Sequence, residues 1–96
     1  MSERLVIAND TQPRLPRHAK LRFDKPRDKW IILAPERVFE LDEIAYEIVS
    51  RCDGEHSLVD LVDVLSAKFD QAPRDAIHTD VTGMLQNLAD KGFIVS

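Results

Sequence analysis

Cysteine occurs once, at Cys52. No disulfide can form within the chain, and the cross-linked framework of small secreted domains is excluded. No apolar run approaches the ~20 residues of a membrane span, and the longest run near the start, Leu5 to Ala8, falls short of a signal-peptide core. The expectation is a cytoplasmic protein with no membrane partner. Internal repeats and low-complexity segments are also missing. Grouped His, Cys and carboxylate residues at ligand spacing are missing too: His18 sits in a proline-containing N-terminal segment, His56 in a turn and His78 on a helical stretch. The sequence therefore announces no metal site, no cofactor and no catalytic residue. Cys52 reads as a small core residue.

What is present fits one modest core. The chain has 96 residues, of which 44% are hydrophobic and 31% charged, so a fold is expected, but not a deep cavity between lobes. The net charge of −4 is unevenly spread. Residues 1–30 carry eight Lys/Arg against four Asp/Glu, and residues 31–96 carry five against thirteen. The acidic remainder would repel a phosphate backbone, which argues against nucleic acid as a partner.

Residues 1–19 show no sustained periodicity, and Pro13 and Pro16 interrupt them. They read as a flexible N-terminal arm or a strap ahead of a domain over residues 20–96. Leu21 and Phe23 alternate with Lys20 and Arg22 as a strand, the stretch Asp24 to Asp28 turns, and Trp30 to Leu33 returns. After the break at Ala34 to Arg37, Val38 to Leu41 supplies a third strand.

Helical spacing begins at Asp42, a cap residue, with Leu41 and Tyr46 placed as a hydrophobic staple. Ile44, Ala45, Ile48, Val49 and Cys52 form its apolar stripe, leaving Glu43, Glu47 and Arg51 toward water, and Gly54 permits a left-handed exit. Ser57 opens a second helix through Leu58, Leu61, Val62, Leu65 and Phe69, with Asp60 near its positive end. Pro73 suits the first position of a third, longest helix through Ile77, Val81, Met84, Leu85 and Leu88. Gly92 is placed to end it in a Schellman turn. Gly83, inside this helix, costs about 1 kcal/mol relative to alanine. It suggests close packing there, or else a shallow place for a ligand side chain. The fold class is α+β, a three-stranded antiparallel sheet followed by three helices.

The second and third helices resemble a helix-turn-helix, yet the would-be recognition helix sets Arg74 and Lys91 against Asp75, Asp80 and Asp90, with no cation in its central turns. A sheet edge is more promising. Lys20 and Arg22 discourage pairing on the first strand, whereas Val38-Phe39-Glu40-Leu41 offers one acid among three apolar residues, a plausible acceptor for an added peptide strand. A covering arm, or a second subunit in a homodimer, is the competing use of that edge. Glu43 and Glu47 are most simply a solvated face, and alternatively a docking surface for a partner enzyme.

Several segments in order resemble one family: Pro13-Arg14-Leu15, Leu21-Arg22-Phe23-Asp24, Trp30-Ile31-Ile32-Leu33-Ala34-Pro35-Glu36, Leu41-Asp42-Glu43-Ile44-Ala45, Cys52-Asp53-Gly54, Asp80-Val81 and Lys91-Gly92-Phe93-Ile94. Over residues 13 to 95 the chain is similar to the PqqD peptide chaperones of pyrroloquinoline quinone biosynthesis. Asp42 stands where that family usually has asparagine and Ile44 where it often has threonine, changes that keep the capping and packing logic. The resemblance implies a winged-helix-like domain without catalysis of its own. Such a domain would hold a PqqA-like precursor peptide and present it to a PqqE-like radical S-adenosylmethionine enzyme. Carried onto this chain, the peptide contact falls on Arg37, Val38, Phe39, Glu40 and Leu41, and on the third helix at His78, Thr82, Leu85 and Gln86. A recognition element of another modified-peptide pathway is the nearest alternative.

Overall fold

The computed structural model describes residues 4–96, so residues 1–3 of the expected arm lie outside it. Three strands come first, β1 (Lys20–Asp24), β2 (Lys29–Ala34) and β3 (Arg37–Leu41). They form an antiparallel meander in the order β1-β2-β3, pairing Phe23 with Trp30 and Ile32 with Phe39. Period-two alternation sends Ile32, Ala34 and Leu41 into the core. The turns are tight enough to hold Asp28 and Glu36 at φ 55° and 62°.

Three helices follow, α1 (Glu43–Val49), α2 (Leu58–Lys68) and α3 (Arg74–Asp90). Their ends are set by the residues that the sequence nominated. Asp42 Oδ1 accepts from the Ala45 amide at 2.7 Å. Ser57 and Asp60 form a reciprocal capping box at 3.1 and 3.2 Å. Gly92, at φ 83°, closes α3: its N–H donates to Ala89 O and the Phe93 N–H to Leu88 O, the two bonds of a Schellman motif. Pro73 sits at the N-cap of α3, one residue earlier than expected. Leu58, Leu61, Val62, Leu65, Val81, Leu85 and Leu88 meet the sheet residues and Ile48 in one continuous core. No described helix is long and apolar enough to cross a membrane.

Three expectations need correction. Gly83 is exposed, and a methyl group there would meet nothing within 4 Å, so helix packing does not account for it. Ile44 is 55% exposed and leaves the apolar stripe of α1. That helix also stops at Val49, before Cys52: the amides of Arg51 and Cys52 donate to Ile48 O and Val49 O, three residues back rather than four, and this tighter turn ends the helical ladder.

Residues 4–19 lie on the body as a strap. Ile7, Pro13, Pro16 and Ala19 are buried. Arg14 exchanges backbone hydrogen bonds with Val95, Gly54 N–H donates to Pro13 O, and Leu58 N–H donates to Thr11 O. The Gly54 backbone has φ 81°, and an added Cβ would come within 3.1 Å of the Arg14 side chain, so glycine suits both the turn and the close passage of the strap.

Candidate functional site

Edge chemistry follows from the strand register. A two-residue turn joins Ala34 to Arg37, and the residues flanking such a turn form a hydrogen-bonded pair. Arg37, Phe39 and Leu41 therefore turn their amides toward β2, while Val38 and Glu40 turn theirs away from the sheet. No described strand pairs with that side of β3. The strap does not cover it either: none of its described hydrogen bonds reaches β3.

Side chains on β3 divide by face. Leu41 is 3% exposed and belongs to the core, which removes it from direct contact with a ligand. Phe39 is half-buried, with its ring 5.5 Å from that of Phe93. The Arg37 guanidinium lies 4.3 Å from the Phe93 ring centre, close enough for a cation–π contact, and Lys91 Nζ lies 5.9 Å from the Phe39 ring. On the opposite face Val38 is 44% exposed, and Glu40 is held by Lys29 at 3.1 Å and by Arg27 at 4.0 Å.

These contacts fix how α3 lies relative to β3. Its C-terminal end meets Arg37 and Phe39, and its first half faces the residues after Leu41: Asp42, Ile44, Ile77, Asp80 and Met84 line one side of an open groove of about 690 Å³ that lies between α1, the end of α2 and α3, with Lys68 and Asp70 on its far side and no residue of β3 in its lining. At helical spacing Asp80, Met84, Asn87 and Lys91 share one stripe of α3, which begins at that groove and ends at the Lys91–Phe39 contact.

The four residues of α3 nominated from the resemblance lie elsewhere. Leu85 is fully buried. His78 Nε2 is 2.7 Å from Asn9 Oδ1, and Thr82 Oγ1 donates to the His78 carbonyl at 2.6 Å. Gln86 holds the strap at two points, accepting from Ile7 N–H at 2.9 Å and donating to Leu5 O at 2.8 Å. This face of α3 is the seat of the strap. Asp80 and Met84, which line the open groove, were not among the site residues expected from the sequence, although extending the 3.6-residue period from Lys91 back along the helix marks them.

The two glutamates of α1 also differ. Glu43 is exposed and enters no described ion pair. Glu47 Oε2 accepts from Arg51 and from Lys68, both at 2.8 Å, and these two cations hold its carboxyl below the usual range, Lys68 first. Cys52 is buried, and desolvation pushes its thiol up to about 12, with Asp53 adding to the shift. Among the described residues no group of three or more His, Cys, Asp or Glu is placed to hold a metal ion.

The family model for coenzyme PQQ synthesis protein D (PqqD) matches residues 29–94, from the start of β2 to the residue after Phe93. The chain belongs to the PqqD family. A PqqA binding protein of Bradyrhizobium diazoefficiens is 56% identical over 90 residues, covering 94% of this chain and 86% of that protein. One from Rhodopseudomonas palustris strain BisB5 is 52% identical over 93 residues, covering 97% and 90%. Among solved structures, the PqqD truncation of Methylobacterium extorquens PqqCD superposes with a TM-score of 0.79 at 36% identity, covering 94% of this chain and 95% of that one. Its solution structure is described as a functional, stand-alone recognition element for ribosomally synthesised and post-translationally modified peptides. PqqD from Xanthomonas campestris matches at 42% identity with a TM-score of 0.55, covering 88% and 93%. The PqqD fold thus includes the three-stranded sheet and three helices expected from the sequence.

Proposed function

We propose that this chain is a cytoplasmic peptide chaperone of pyrroloquinoline quinone biosynthesis, without chemistry of its own. It binds a PqqA-like precursor peptide and presents it to a PqqE-like radical S-adenosylmethionine enzyme, the partner that performs the reaction. The peptide adds as a fourth strand to β3, through the outward backbone groups of Val38 and Glu40, and lies against the Asp80-Met84-Asn87-Lys91 stripe of α3. Relatives named PqqA binding proteins support the ligand. The observation that carries the location is the unpaired β3 edge, with Lys91 of the α3 end beside Phe39. Four backbone hydrogen bonds at about 1 kcal/mol each, with burial beside Phe39 and Met84, supply a reasonable binding energy. Glu43, exposed on α1, remains the candidate for enzyme docking, with Glu47 beside it but engaged by Arg51 and Lys68.

The test is a proline at each outward amide. Val38→Pro and Glu40→Pro each remove one N–H that the sheet itself does not use, a substitution tolerated on edge strands. Both variants should retain the far-ultraviolet circular dichroism of the wild type and lose most affinity for synthetic precursor peptide in calorimetry. Wild-type affinity in both folded variants would rule out strand addition at β3.

A further inference from the structure

We infer that the surface along β3 and the facing stripe of α3 reads the order of charges along its peptide, taking an acidic residue at the Lys91–Arg37 end and a basic residue at the Asp42–Asp80 end. The inference rests on the peptide-binding reading above and specifies the chemistry of the segment bound.

The two walls carry opposite charges at their two ends. At one end Lys91 and Arg37 lie over Phe39 and Phe93. At the other, past the end of β3, Asp42 and Asp80 line with Ile44, Met84 and Asp70 the pocket between α1, the end of α2 and α3; Lys68, the one cation in that lining, is taken up by Glu47 at 2.8 Å. None of the four charges enters a described ion pair, whereas Glu40, the acid within β3, is held on the outer face by Lys29 and Arg27. Between the charged ends the surface is apolar: Phe39 and Met84 are half-buried, and Ile44 is exposed at the acidic end.

Lengths agree on the two walls. From position 37 to 42 an extended chain covers about 17 Å, and from Asp80 to Lys91 a helix covers about 17 Å. An added strand of about six residues spans the same distance. Because this exceeds the screening length of roughly 8 Å at physiological salt, each end acts on its own neighbour in the peptide. The segment that fits is therefore short and extended, apolar in the middle, with opposite charges at its ends. A peptide with its charges reversed, held in the same strand direction, would place like charges together at both ends.

Lys91→Glu and Asp80→Lys test the idea, since both side chains are exposed and neither takes part in a described ion pair. The two substitutions change the net charge in opposite directions. A long-range field effect would weaken binding in one variant and strengthen it in the other. The inference expects both to weaken synthetic precursor peptide in low-salt calorimetry, by about three- to fivefold each. A panel of precursor peptides, each with one acid changed to lysine or one base changed to glutamate, then locates the partners. One acid-to-lysine peptide should restore affinity to Lys91→Glu and not to Asp80→Lys, and one base-to-glutamate peptide should do the reverse. Unchanged affinity in both protein variants, opposite effects in the two, or peptides that rescue both alike would overturn the charge-order inference. With Val38→Pro still blocking the peptide, such results leave strand addition at β3 in place. If Val38→Pro and Glu40→Pro bind normally, the reading beneath it fails instead.

Discussion

Gln86 holds Ile7 by its main chain: the side-chain oxygen accepts from the Ile7 amide at 2.9 Å while the side-chain nitrogen donates to the Leu5 carbonyl at 2.8 Å. One side chain thereby satisfies two backbone groups of the strap and helps seat Ile7 in the core. Gln86→Ala should lower stability by about 1–2 kcal/mol, since it strips partners from partly buried groups. Amide hydrogen exchange should rise from Leu5 to Asn9, and precursor-peptide affinity should stay within about twofold of the wild type. A large loss of peptide affinity without faster exchange in the strap would return Gln86 to the peptide site.

Gly83 offers the opposite case, a residue whose replacement should help. It lies within α3, faces solvent and has open space where a methyl group would go. Gly83→Ala should raise stability by about 1 kcal/mol through helix propensity and a less flexible unfolded chain. Chemical denaturation should show a higher midpoint with an unchanged slope. A lower midpoint would mean that the position serves a packing role the structure does not contain.

Most of the fold was legible because local signals agreed with one another. Asp42, Ser57 and Gly92 each carry a capping function that depends on a few neighbouring residues, and each performs it here. The β3 edge was legible for the same reason, since alternation and turn length fix which amides face outward. The face of α3 was harder. His78, Thr82 and Gln86 have the polar, partly exposed character of ligand contacts, and the strap that uses two of them comes from nearly 70 residues or more away in sequence. Periodicity reports which residues share a face, not which distant segment covers it. Glu47 illustrates the same limit: Arg51 is a helical neighbour visible in the sequence, but Lys68 reaches it from α2.

Cys52 should be chemically silent in the native protein. Its thiol is buried, donates to the Ile48 carbonyl at 3.3 Å and is pushed up to about 12, so little thiolate exists at neutral pH. Alkylation by iodoacetamide should be slow in buffer and speed up by orders of magnitude once denaturant unfolds the chain. Rapid labelling under native conditions would show that the segment after α1 opens far more often than its packing implies.

Glu43 and Glu47 sit four residues apart on α1 but should respond differently to charge reversal. Glu43→Lys changes an exposed side chain with no described ion pair, so stability should hold while association with the partner enzyme slows and its salt dependence weakens. Glu47→Lys removes a carboxylate shared by Arg51 and Lys68 and brings three cations together, which should cost about 1–2 kcal/mol of stability. The pH dependence separates pairing from packing. Pairing lowers the folded-state pKa of Glu47 below its ordinary 4.5, so the contribution is fully present above that value and is lost as pH falls through the folded pKa. The stability gap between wild type and Glu47→Gln should therefore be constant from neutral pH down to about 5 and narrow below it. A gap that stays constant into strong acid would assign the effect of Glu47 to packing. Normal enzyme association by Glu43→Lys would place the docking surface away from α1.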